Sequence, residues 1–131
     1  MTDINKIAEL IKENYSKNGC MNYAIRSLSD DENYQVGDQC RESYEWDYED
    51  DISTYNTTGE TAGGTCGTHI TNICGDEDDE EIAEALESTI KQNQIYGDRQ
   101  IIICGKECNN DGYFDGENEI RIIDAFVLAI L

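Results

Sequence analysis

Proline is absent from the 131 residues, histidine and tryptophan occur once each, and lysine and arginine together number nine. Each shortage excludes something. No proline- or serine-rich linker divides the chain, so residues 1–131 read as a single compact domain, long enough for one self-supporting core. No cluster of Lys and Arg offers a basic groove, which argues against direct nucleic-acid binding. No apolar run approaches the roughly 20 residues of a membrane-spanning helix. There is no Gly-Lys-Ser/Thr phosphate loop, and Gly63-Gly64-Thr65 reads as a turn. His69 stands alone, and Cys66 lies three residues away on a predicted strand, which places the two on opposite faces. A Ser–His or Cys–His catalytic pair is therefore not expected, and His69 reads as structural.

What the chain has is acid. Twenty-nine Asp and Glu against nine Lys and Arg give 9 − 29 = −20, with only 38% of residues hydrophobic. Residues 3 to about 17 place Ile4, Ile7, Ala8, Leu10 and Ile11 on one helical face, with Thr2 or Asp3 as cap and Asn18-Gly19 as stop. Asn22 to Leu28 alternates as a strand, with Tyr23, Ile25 and Ser27 on one side and Ala24, Arg26 and Leu28 on the other. From Ser29 to Gly64, eleven acids face one base, Arg41, and aromatic residues replace aliphatic ones; this predicts a long loop with short strands. Thr65 to Ile73 is β-branched and reads as a strand. Asp76 or Asp78 caps a second helix running to about Gln94, with Ile82, Ala85, Leu86, Thr89 and Ile90 as its buried stripe. Arg99 to Cys104 predicts a central strand and Gly105 to Asn118 a loop. Glu119 to Ile123 and Ala125 to Leu131 predict two closing strands, with one helix as the alternative. The expected fold is α+β, an N-terminal helix and one internal helix on a small, mostly antiparallel sheet with long acidic loops.

The cysteines admit three readings. No signal-type apolar stretch occupies the first twenty residues, so a cytoplasmic setting with reduced thiols is expected over a framework of three disulfides. Cys66, His69, Cys74, Cys104 and Cys108 supply soft ligands for zinc, but the spacings Cys-x2-His-x4-Cys and Cys-x3-Cys depart from the usual pairs. Buried free cysteines packing as small apolar groups are the favoured reading. A loop from Glu107 to Asn118 imitates the calcium-binding spacing, yet it lacks the final bidentate Glu and a preceding helix. It reads as polar surface, and no metal is expected.

Two acidic runs stand out: Glu45 to Asp51, with five acids in seven positions, and Asp76 to Glu81, with six in six. Self-repulsion at −20 opposes compaction, so the charge calls for a use beyond solubility. Duplex DNA carries one negative charge per roughly 1.7 Å of axis. A domain of this length is about 30–35 Å across and would stand opposite roughly twenty phosphates, a charge comparable to its own. In size, charge and interleaved aromatics the chain resembles small acidic phage-encoded inhibitors, including anti-CRISPR proteins and other DNA mimics. That resemblance implies a basic, nucleic-acid-handling protein as partner and inhibition by occupying its site. The contacts would fall on Tyr44, Glu45, Trp46, Asp47, Tyr48, Glu49, Asp50 and Asp51, and on Asp76, Glu77, Asp78 and Asp79, with no cofactor.

A second pattern lies across residues 22 to 131. Arg26 in YAIRS, Ser53-Thr54 in DISTY and Glu117-Asn-Glu119 in GENEIRI occur in the order that marks Arg–Ser–Glu ADP-ribosyltransferases, which the chain resembles in these three motifs. The resemblance implies NAD as cofactor. Arg26 would hold its phosphates, Ser53 would brace the nicotinamide half, Glu119 would stabilise the oxocarbenium ion and Glu117 would orient the acceptor. Tyr55 replaces the second serine of the family's Ser-Thr-Ser strand, and Arg26 lacks the usual following glycine.

Overall fold

A computed structural model describes residues 3–28, 30–40, 54–56, 68–70, 73–94, 99–108 and 121–131. The elements run α1 (Ile4–Asn18), β1 (Asn22–Ser27), β2 (Thr54–Asn56), β3 (Thr68–His69), α2 (Asp79–Asn93), β4 (Gln100–Cys108) and β5 (Arg121–Ile130). The strands form one sheet in the order β2-β5-β4-β1-β3, and all its pairings are antiparallel. The expected α+β class holds. No helix among the described residues is long and apolar enough to cross a membrane.

Local chemistry sets the helix ends. Asp3 accepts a hydrogen bond from the backbone of Asn5 at 3.0 Å and so caps α1. Gly19 closes it at φ 77°, a left-handed conformation that glycine tolerates. Asp78 occupies the cap position of α2 without a side-chain capping bond, and Asp79, Glu80 and Glu81 fill the first turn, where the positive end of the helix dipole favours them. Both helices pack on one face of the sheet. Ile7, Ala8 and Ile11 of α1 and Ile82 and Leu86 of α2 meet Tyr23, Ile25, Ile102, Cys104 and Ala129, whereas Leu10, expected on the same stripe, is exposed because its side of the helix faces away from the sheet. The other face gathers Ala24, Leu28, Ile101, Ile103, Ile122, Ala125 and Val127 around Cys40, with Tyr34 against them. The period-two alternation expected of β1 is thus realised.

The C-terminal half departs from expectation in two ways. β4 continues through Gly105 to Cys108, where a loop was expected, because β5 pairs with it along that length: Lys106 faces Ile123 and Cys108 faces Arg121. The two closing strands are one, β5, interrupted by a bulge where the sequence break was read. Between Cys104↔Phe126 and Lys106↔Ile123, β4 advances two residues and β5 three. The extra residue falls at Asp124, whose φ of 54° is the sole positive value of a non-glycine residue among those described. Such an insertion bends and twists the strand without ending it. Gly105 lies opposite: a Cβ there would come within 2.6 Å of both the Ile122 side chain and the Ile123 carbonyl. A second extra residue on β5 sits between Val127 and Ala129, which face Ile103 and Ile102.

The strand expected over 65–73 is confined, among the described residues, to Thr68–His69; Ile70 still donates its N–H to the Tyr23 carbonyl at 2.8 Å. The thiol reading also needs correction. Cys20 and Cys74 are joined in a disulfide, with Cα atoms 4.8 Å apart. Cys40 and Cys104 are free and buried.

Candidate functional site

Helix α2 and the turn before it carry the one of the two acidic runs that lies within the described residues. From Asp76 to Lys91 the chain has eight acids and one base. Asp76, Asp78, Asp79, Glu80, Glu81, Glu84 and Glu87 are all exposed. This follows from the apolar stripe: once Ile82, Leu86 and Thr89 are buried, the remaining faces of a 3.6-residue period point outward. Asp79 pairs with Lys12 of α1 at 2.9 Å, and it is the one acid of this stretch with a salt bridge to a base among the described residues. That hydrogen bond is the main cause holding the Lys12 ammonium above its ordinary pKa. Asp78 to Glu87 spans about 13 Å of helix at 1.5 Å per residue. Six acids over that length approach the roughly eight charges of an equal run of duplex.

Glu77 does not belong to this surface, contrary to expectation. Its carboxylate turns inward and accepts the backbone N–H groups of Cys74 (2.9 Å) and Gly75 (2.8 Å). Burial pushes its pKa up, but the Gly75, Glu77 and Cys74 amides and the Asp76 side chain outweigh it and leave the carboxyl below its ordinary value. Gly75 makes the turn possible: its φ is 120°, and a Cβ there would overlap the Tyr15 side chain of α1. Glu77 therefore fixes the turn that aims its neighbours at solvent.

Arg26 projects from β1 on the sheet face away from the helices. Its guanidinium donates to Glu32 at 2.5 Å and to the Tyr34 hydroxyl at 3.0 Å, lies 5.6 Å from the Tyr34 ring centre, and approaches the Cys40 sulfur at 3.8 Å. Arg26 and Glu32 side chains are 19% and 27% exposed, which makes this a shielded pair and not a rim contact. Burial raises the Tyr34 hydroxyl and the Cys40 thiol despite the cation beside them. The arrangement staples the segment after β1 onto the sheet. Arg99 does the same from the neighbouring strand end, donating to the Glu32 carbonyl at 2.9 Å.

A second polar cluster, which the sequence did not suggest, sits under α1. Asn14 Nδ2 lies 3.1 Å from the Tyr23 hydroxyl and 3.2 Å from the Cys104 sulfur. Burial is the leading cause that pushes both Tyr23 and Cys104 up to about 12. Cys104 is consequently a protonated thiol at neutral pH and a poor nucleophile.

The remaining expected residues separate as follows. Tyr44, Glu45, Trp46, Asp47, Tyr48, Glu49, Asp50 and Asp51 lie outside the described residues, as do Ser53, Glu117, Glu119 and Cys66. Of the zinc candidates, Cys74 is bonded to Cys20, His69 Nε2 is 3.1 Å from Asn22 Oδ1, Cys104 faces Asn14, and Cys108 ends β4. Among the described residues no group of three or more His, Cys, Asp or Glu is placed to hold a metal ion. No family model, curated protein or solved structure matches the chain.

Proposed function

We propose that this chain is an acidic binding protein that occupies the cationic site of a nucleic-acid-handling protein and so inhibits it, in the manner of phage-encoded inhibitors such as anti-CRISPR proteins. The observation that supports the reading is the exposed carboxylate series of α2 and the turn before it, where among the described residues one salt bridge answers seven acids. Its linear charge density approaches that of the duplex such a site accepts. Long-range attraction would steer association and fix orientation, and the affinity would fall with ionic strength. The Glu45 to Asp51 run, with Trp46 and its tyrosines, is the proposed second contact and would supply aromatic anchors. The setting is the cytoplasm, where such partners reside.

The test is capture of partners from a bacterial lysate at low and high salt, with duplex DNA as competitor. Wild type should capture a basic protein that salt releases and DNA displaces. Glu80, Glu81, Glu84 and Glu87, changed together to Gln, should weaken that capture while leaving the fold intact. Asp47, Glu49, Asp50 and Asp51, changed to Asn or Ser, should do likewise through the second contact. Capture indifferent to salt, to DNA and to both neutralisations sinks the reading. Arg26, the one described member of the transferase-like pattern, has its guanidinium engaged by Glu32 and Tyr34, so no observation favours NAD chemistry over binding.

A further inference from the structure

The acidic start of α2 is tied to α1 by a covalent bond that solvent can reach. Cys20 follows the glycine that ends α1, and Cys74 precedes the turn into α2, 54 residues later. Cys20 is exposed and Cys74 half-buried, so an incoming thiolate meets the Cys20 sulfur first. Exposure of this kind marks labile disulfides rather than permanent structural ones. Between the buried Ile73 and Ile82, few contacts join the turn itself to α1. Glu77 bonds Cys74 and Gly75, both inside the turn itself. What crosses to α1 is the packing of Gly75 on Tyr15, the exposed Lys12–Asp79 pair and, on either side of the turn, the burial of Ile73 and Ile82 in one cluster with Ile7, Ala8 and Ile11. The free thiols Cys40 and Cys104 are buried and stay protonated.

We propose that the Cys20–Cys74 bond is a reversible redox control on the acidic start of α2, opened by a dithiol reductant and closed by a disulfide oxidant. In opening, one thiolate of the reductant attacks Cys20 Sγ and forms a mixed disulfide as the Cys20–Cys74 bond breaks. Cys74 leaves as a thiolate and takes a proton. The second thiolate of the reductant attacks its own sulfur in the mixed disulfide, and Cys20 leaves and is protonated in turn. The reductant departs as a cyclic disulfide, having given up two electrons and two protons to the pair of new thiols. Closing runs the same exchange backwards. Opening removes the covalent closure and leaves residues 74–79 held by the Gly75 contact, one surface ion pair and the buried Ile73 and Ile82 that flank them. The display of Asp76, Asp78 and Asp79 then changes from fixed to fluctuating. The consequence for partner capture rests on the binding function proposed above; the local loosening does not.

Amide hydrogen exchange on the whole chain tests this. Wild type is compared after oxidation with diamide and after reduction with dithiothreitol. Exchange at residues 74–82 should rise at least about tenfold on reduction, leave β1 and β4 unchanged, and return on reoxidation. In Cys20→Ser the same treatments should alter nothing there. Wild type reduced and then alkylated is a control that needs no variant, and oxidant should leave it in the reduced-state pattern. Equal exchange in the two states, a uniform rise across all amides, or the same response in Cys20→Ser overturns the proposal. Partner capture measured in parallel reads the other claim. Its complete absence removes the binding function, whereas the exchange pattern alone decides the redox control.

Discussion

Asn93 holds the C-terminal end of the acidic helix to the sheet, and its removal gives a prediction that can be worked from distances. The side chain is fully buried. Its Nδ2 donates to the Ile25 carbonyl at 3.1 Å and to the Ser27 hydroxyl at 3.3 Å, and its Oδ1 accepts from the Thr68 hydroxyl at 3.2 Å. One residue thereby links α2, β1 and β3. Each such bond contributes about 1 kcal/mol net, so Asn93→Ala should cost about 3 kcal/mol. Unfolding entropy of about 2.1 cal/mol/K per residue converts that loss, for a chain of this length, into a fall in Tm of about 11 °C. Calorimetry or denaturant unfolding reads the effect directly. Asn93→Asp adds a signature that a mere packing defect lacks. The carboxylate would face the Ile25 carbonyl in a buried site, raising its folded pKa above the unfolded value of about 3.9. A raised acid is stable while protonated, so the variant should lose stability as pH rises through about 4 and above, whereas the alanine variant should not show that slope. If Asn93→Ala lies within about 0.5 kcal/mol of wild type, the ordinary spread of surface changes, the reasoning is wrong.

Other perturbations follow from the same contacts. Gly105→Ala forces a methyl against the Ile123 carbonyl and the Ile122 side chain and should cost about 2 kcal/mol in chemical unfolding, as overpacking does. Glu32→Gln removes the charge partner of Arg26 and should cost about 2 kcal/mol, with the greatest gain in protease cleavage after β1. Tyr23 and Cys104 both rise to about 12 in the folded chain, from ordinary values of 10.0 and 9.0. Their contribution is whole below pH 9 and is lost as pH climbs from there towards 12. Thermal midpoints should therefore drop steeply in that window. Tyr23→Phe, though less stable at neutral pH through its lost Asn14 bond, should show a shallower alkaline decline. An equal decline in both would remove Tyr23 as a cause.

The helices and the central strands were legible because their signals are local. Ile7, Ala8 and Ile11 on one face, Asp3 at the cap and Gly19 at the stop all act within a few residues of one another. β1 announced its two faces for the same reason. The failures came where a distant segment decides. Residues 105–108 look like the start of a polar loop, and they are strand because β5 returns alongside them. Asp124 was rightly read as a break in the apolar run. Whether such a break ends a strand or bulges it depends on Gly105 across the ladder, which no nearby residue encodes. The Cys20–Cys74 pair belongs to the same class: a sequence with six cysteines allows fifteen complete pairings, and only the approach of the α1 end to the α2 turn selects this one.

The acidic surface shows the limit most sharply, because charge counts treat every carboxylate alike while geometry does not. Six consecutive acids from Asp76 to Glu81 look interchangeable, yet Glu77 is inward and the other five are exposed. The cause is the pair of backbone amides of Cys74 and Gly75, which the Glu77 carboxylate accepts. A glycine two positions before a glutamate at a helix entrance was a signal available in the sequence. It also separates two kinds of carboxylate that a partner would sense differently. Asp78, Glu80 and Glu81 are exposed and can face a cation, whereas removing Glu77 would unmake the turn that directs them. Glu77→Gln, which keeps an acceptor oxygen for one amide, should therefore lower helix-start protection more than it changes the net charge. Asp78→Asn should do the reverse, weakening salt-sensitive partner capture with exchange at residues 74–82 unaltered. Were the two variants to behave alike in both measurements, orientation would not matter and bare charge would suffice.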